Sequence, residues 1–98
     1  MKVKDLLTSH HRWTRNTFAR DNKGLTVDYS DKHAVRFCLL GGISRVYKTS
    51  KEIQAVKERV RSYLRFNVKM KHELSDIADF NDFSDFKAVK KLVEDLDI

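Results

Sequence analysis

Residues 49–64 read Thr49-Ser50-Lys51-Glu52-Ile53-Gln54-Ala55-Val56-Lys57-Glu58-Arg59-Val60-Arg61-Ser62-Tyr63-Leu64. Thr49 with Glu52 three residues later is a capping-box pattern, in which each side chain satisfies a backbone N–H at a helix start. Ile53, Val56, Val60 and Leu64 then recur at helical spacing on one face. The spacing predicts an amphipathic helix of about 16 residues with Gln54, Glu58, Arg61 and Arg65 toward solvent. Glu58 lies one turn before Arg61, and Arg61 one turn before Arg65. Lys69 and Lys71 extend the basic run past the helix end, where cations complement the dipole.

Upstream, Val35, Cys38, Leu39, Gly42, Ile43 and Val46 form a second apolar stripe. This predicts a helix capped by Ser30 or Asp31 and ending near Tyr47. Gly41 and Gly42 inside that helix cost roughly 1 kcal/mol each relative to alanine. Such a cost implies close approach of another backbone. Residues 2–9 read as a short opening helix through Val3, Leu6 and Leu7. Residues 13–28 suit a small hairpin: Thr14, Thr17 and Phe18 on one side, Leu25, Thr26 and Val27 on the other. Its loop, Arg20-Asp21-Asn22-Lys23-Gly24, is made of turn residues. Downstream, residues 72–83 read as one helical turn and a loop. Ser84 then caps a last helix with a stripe of Phe86, Val89, Leu92, Val93 and Leu96. The acids of Glu94-Asp95-Leu96-Asp97-Ile98 sit at the wrong end of that helix for its dipole, which implies fraying or a basic partner. The fold expected is mainly α, or α+β at most: a compact bundle of about four helices with a hairpin inserted after the first. The 98 residues form one domain, because a chain of this length has no room for two cores.

Composition narrows the function. With 20 Lys and Arg against 14 acids, the net charge is +6. Residues 1–72 hold 17 bases and 6 acids (+11), and residues 73–98 hold 3 bases and 8 acids (−5). The acidic end can fold onto the basic body, or the body can face an anionic partner. The apolar runs are too short to cross a membrane, and there is no secretory signal pattern. The single cysteine excludes an internal disulfide framework and points to a reducing, cytoplasmic setting.

The stretch His10-His11-Arg12-Trp13-Thr14-Arg15-Asn16-Thr17-Phe18-Ala19-Arg20 mixes bases with aromatic rings. Arg12, Arg15 and Arg20, with Arg61 and Arg65, suit phosphate contacts, and Trp13 and Phe18 can stack bases where exposed. As sole tryptophan, Trp13 equally suits the core. The partner implied is nucleic acid or a nucleotide-like ligand. The alternative is a protein–protein adaptor or homo-oligomeric accessory protein, using the Phe80–Phe86 segment or the Gly41-Gly42 face to meet another bacterial protein. No phosphate-loop, dinucleotide or nucleophile-elbow motif is present, so no enzyme and no cofactor is expected. Cys38 lies in an apolar stripe and reads as a small core hydrophobe. His10, His11, His33 and His72 lack metal-ligand spacing, so no metal site is expected. Asp76, Asp79, Asp82 and Asp85 repeat every three residues. They can hold a cation, but with Asn81 they more simply accept turn and helix-start amides at the junction into the last helix.

In order, Trp13-Thr14, Ala19-Arg20-Asp21-x-x-Gly24, Ala34-Val35-x-x-Cys38-x-x-Gly41 and Ile77-x-x-Phe80-Asn81-Asp82 resemble an uncharacterised family of small proteins from bacteria and tailed phages. The likeness spans roughly residues 5–96. Phe37 and Phe80 stand where that family often has tryptophan, and Gly42 where it often has alanine. Phe83-Ser84-Asp85 replaces a turn rich in proline and glycine. The resemblance marks Asp21, Gly24, Cys38, Gly41, Asn81 and Asp82 as motif positions. It implies a protein acting inside a bacterial cell, with no activity attached.

Overall fold

The computed structural model describes residues 1–67 and 77–98. The readings made on Lys69, Lys71, His72 and Asp76 lie outside the described residues. The architecture is mainly α with a small sheet, as the apolar spacing predicts. Among the described residues, five helices run α1 (Val3–Leu6), α2 (Leu39–Val46), α3 (Ser50–Asn67), α4 (Ile77–Phe83) and α5 (Phe86–Leu96), with a 3₁₀ turn at His10–Arg12. Strands β1 (Ala19–Arg20), β2 (Thr26–Val27) and β3 (Arg36–Phe37) form an antiparallel sheet in the order β2-β1-β3. No described helix is long and apolar enough to cross a membrane.

The start of α3 follows its local chemistry. The Glu52 amide donates to Thr49 Oγ1 at 3.1 Å, and that hydroxyl donates to the Glu52 carboxylate at 2.9 Å. Val56, Val60 and Leu64 are buried, and Ile53 packs against the core while half-buried. The opening helix is shorter than residues 2–9. It ends after Leu6, where Leu7 leaves the helical region at ψ 62° and its amide donates to the Val3 carbonyl.

The larger departure is at residues 30–38. The helix expected from Ser30 or Asp31 begins only at Leu39. Asp31 accepts the amide of His33 at 2.7 Å and so closes a turn instead of capping a helix. Val35 and Cys38 extend the β3 ladder: Val35 N–H donates to the Arg20 carbonyl at 2.9 Å, and Cys38 N–H to that of Phe18 at 3.1 Å. Tertiary pairing with β1, at register Ala19↔Phe37, outweighs the helical stripe. The hairpin is present, but its first strand is Ala19–Arg20 and not the Thr14–Phe18 stretch. Ala19 pairs with Val27 and Arg20 with Thr26. Asp21 Oδ1 accepts from the amides of Lys23 (2.9 Å) and Leu25 (3.0 Å), and Gly24 takes φ +83°, a region costly for residues with a Cβ.

Residues 77–83 are a helix and not mainly a loop. Asp85, not Ser84, caps α5, its carboxylate accepting the Ala88 amide at 2.9 Å. The expected close approach at the glycines is found. A Cβ on Gly41 would lie 2.0 Å from the Phe18 carbonyl oxygen, and one on Gly42 would lie 3.3 Å from Val3 Cγ1. The core joins Val3, Leu7, Phe37, Leu39, Ile43, Val60, Ile77, Val89, Leu92 and Val93, all essentially fully buried. Val35, expected inside, is half-buried on the approach to β3.

The acidic end folds onto the basic beginning. Asp97 takes φ +54° as the left-handed cap of α5 and pairs with Lys2 (2.6 Å) and Lys4 (2.5 Å). Val3 N–H donates to the Ile98 carbonyl at 2.6 Å, and the Ile98 side chain is buried. The two lysines lower the Asp97 carboxyl from 3.8 to about 2. A folded value below the unfolded one adds stability that is fully present above about pH 4 and is lost as pH falls toward 2. Asp97→Asn keeps a side chain that tolerates the left-handed cap and removes the charge. Its acid unfolding should therefore be less steep than wild type between pH 4 and 2, as read from circular dichroism midpoints. Coincident acid profiles would show that the clasp contributes nothing through its charge.

Candidate functional site

Two constructions stand out, one structural and one open to a ligand. The first centres on Asn81, fully buried on α4 and the one buried polar side chain among the described residues. Its Oδ1 accepts from Trp13 Nε1 at 2.7 Å and from the Leu39 amide at the start of α2 at 2.9 Å. Its Nδ2 donates to the Thr14 carbonyl at 3.0 Å and to Asp82 Oδ1 at 3.1 Å. Asp82 Oδ1 also accepts the amide of Asn16, which sits at φ +65°. Two motif segments, Trp13-Thr14 and Asn81-Asp82, thus form one clamp. Asn81 and Asp82 brace the 13–16 segment and the start of α2, and not the junction into α5.

This clamp absorbs several residues expected at a ligand surface. Trp13 is half-buried, with its ring 5.9 Å from that of Phe86. Arg15 lies over the Trp13 ring at 5.0 Å and donates to the Ser84 carbonyl. Arg20 donates from Nε to Thr14 Oγ1 (2.8 Å) and from a terminal nitrogen to the Gly24 carbonyl (3.0 Å), which ties the hairpin loop to the 14–15 segment. Arg61 pairs with Glu58 at 2.9 Å on α3, and Arg65 is exposed one turn later. None of the described cavities is lined by two of Arg12, Arg15, Arg20, Arg61 and Arg65.

Cys38 caps α2, its sulfur accepting the Gly41 amide at 3.2 Å. Burial raises its thiol pKa, against the lowering effect of the Gly41 and Leu40 amides, so the sulfur stays protonated at neutral pH and is a poor nucleophile. Among the described residues, no three His, Cys, Asp or Glu side chains converge as metal ligands. The Gly41-Gly42 face is buried inside the chain, which removes it as a docking surface. Of the Phe80–Phe86 rings, Phe80 is buried, Phe86 packs against the core and Phe83 is exposed.

The second construction is a cleft of about 460 Å³ between the 3₁₀ turn, β3 and the end of α2. Three cations line it, Arg12, Arg45 and Lys48, with no carboxylate among the lining residues. Its apolar wall is Leu6, Ala34, Phe37 and Val46, with Met1 exposed at its edge. Arg45 is held in place: one terminal nitrogen donates to the carbonyls of Tyr29 and Asp31, both at 2.8 Å, and the guanidinium lies 5.6 Å from the centre of the Phe37 ring. Lys48 Nζ donates to the Arg45 carbonyl at 2.8 Å. A neighbouring cavity of about 350 Å³, lined by Tyr29, Ser30, Ser44 and Tyr47, shares Arg45 and Lys48. Arg12 alone of the expected anion contacts lies here. Neither Arg45 nor Lys48 carries a local signal in the sequence. Their convergence with Arg12 depends on β3, which the helical stripe conceals.

Compared with family models, curated proteins and solved structures, the chain finds no match.

Proposed function

We propose that this chain is a non-enzymatic binding module, of bacterial or phage type and acting in the cytoplasm, that holds a small phosphate-bearing ligand between Arg12, Arg45 and Lys48. One observation carries this reading: three cations face a single cavity that no carboxylate lines, and two of them are held by backbone carbonyls. Fixed donors lose less entropy when they bind than free side chains do. Charge-assisted bonds to phosphate are stronger than neutral ones. Concavity favours a compact anion over a duplex, whose phosphates need an extended basic ridge. Phosphate groups of a nucleotide-like ligand fit this chemistry.

Titration calorimetry with inorganic phosphate at about 50 mM salt tests the proposal. Wild type should bind. Arg12→Ala and Lys48→Ala, both at exposed positions, should each weaken binding roughly tenfold, the effect of losing one charge-assisted contact. Their unfolding midpoints should stay near wild type. Wild-type affinity in both variants would refute the assignment of the cleft.

A further inference from the structure

We infer that the cleft's occupant is a phosphate monoester carried on a flat apolar or aromatic body, and not free inorganic phosphate; the inference rests on reading the cleft as an anion site. Size is the first reason. About 460 Å³ corresponds to roughly fifteen waters at their share of liquid volume. A bare phosphate displaces a few of these and leaves most of the volume unfilled. Cavities of this size fall in the range that takes small organic ligands.

The walls are the second reason. Beside the three cations, the lining is Leu6, Ala34, Phe37, Val46 and Met1, all apolar, with the open apolar surface coming from Val46 and Met1 because Leu6, Ala34 and Phe37 are buried. Water against such a wall is released when an apolar group replaces it. Met1 is 83% exposed, a large apolar side chain with little cover from the fold. Methionine at a cavity edge adapts its shape to what enters.

The third reason is how the two parts join. Arg45 and the half-buried Val46 are neighbours in α2 and both line the cleft, so charge and apolar wall meet at one point and are not at opposite ends. A guanidinium plane also accepts a stacked aromatic ring. A ligand whose phosphate is directly bonded to a flat body satisfies both parts at once. Inorganic phosphate satisfies the first alone.

The experiment is calorimetric titration of the wild-type chain at about 50 mM salt with inorganic phosphate, phenyl phosphate and phenol. Phenyl phosphate should bind at least about tenfold more tightly than inorganic phosphate, and phenol should not bind measurably. Val46→Asn should shrink the phenyl phosphate advantage and leave inorganic phosphate unchanged. Where that variant unfolds, the near-isosteric Val46→Thr replaces it. Equal affinities for the two phosphates would overturn this inference and leave the anion site standing. Phenol binding as tightly as phenyl phosphate would overturn it as well. Failure of both phosphates to bind would remove the anion site itself.

Discussion

Asn81→Ala is expected to lower the unfolding free energy by about 4 kcal/mol, measured by urea denaturation. The substitution strands three groups: Trp13 Nε1–H, the Leu39 amide and the Thr14 carbonyl. Each buried group left unsatisfied costs roughly 1–3 kcal/mol. Trp13 and Thr14 are half-buried and partly recover bonds to water, which places the total toward the lower end of the range. Domains of this size are stable by only about 5–15 kcal/mol, so the variant should melt about 15–30 °C lower. Asn81→Asp makes the result specific. It keeps an acceptor for Trp13 and Leu39, but it turns a carboxylate toward the Thr14 carbonyl and Asp82. Above the carboxylate pKa it should be destabilised about as much as the alanine variant. A loss under about 1 kcal/mol in both variants would mean that the clamp does not hold the 13–16 segment to α2 and α4.

Gly41→Ala should cost about 3 kcal/mol or more, whereas Gly42→Ala next to it should change stability by less than about 1 kcal/mol. The two positions share a helix and a propensity gain of roughly 1 kcal/mol from alanine. They differ in what the new methyl meets. At Gly41 it meets the Phe18 backbone carbonyl at 2.0 Å, the same oxygen that accepts the Cys38 amide, so α2 and the chain entering β1 must separate. At Gly42 it meets Val3 Cγ1 at 3.3 Å, a side-chain methyl that can give by a few tenths of an ångström. Equal unfolding midpoints for the two variants would contradict the close contact between α2 and the chain entering β1.

Local signals and long-range pairing were not equally legible in the sequence. Helix α3 was readable because its cap and stripe lie within one window: Thr49 with Glu52, then Val56, Val60 and Leu64. The turn at Asp21 and Gly24 was readable for the same reason. The start of α2 was not. Val35 and Cys38 fit helical spacing, yet they bond to β1 and the residue before it, 15 and 20 residues earlier in the chain (Val35 to Arg20; Cys38 to Phe18). Asn81 could be marked as a motif position, but its bond to Trp13 spans 68 residues, and nothing in either local window announces the partner. The expected ligand arginines suffered most. Arg15 and Arg20 satisfy backbone carbonyls of the fold, while Arg45 and Lys48, which carried no local signal, meet Arg12 across the cleft.

The most direct measurement is where phosphate lands. Two-dimensional amide spectra of the labelled chain, recorded during an inorganic phosphate titration at about 50 mM salt, report this residue by residue. The largest shifts should fall on Arg12, Ala34, Arg45, Val46 and Lys48, saturating with one affinity. Shifts confined to Arg61 and Arg65 on α3, or no saturable shift at all, would contradict the cleft as the place where this protein holds an anion.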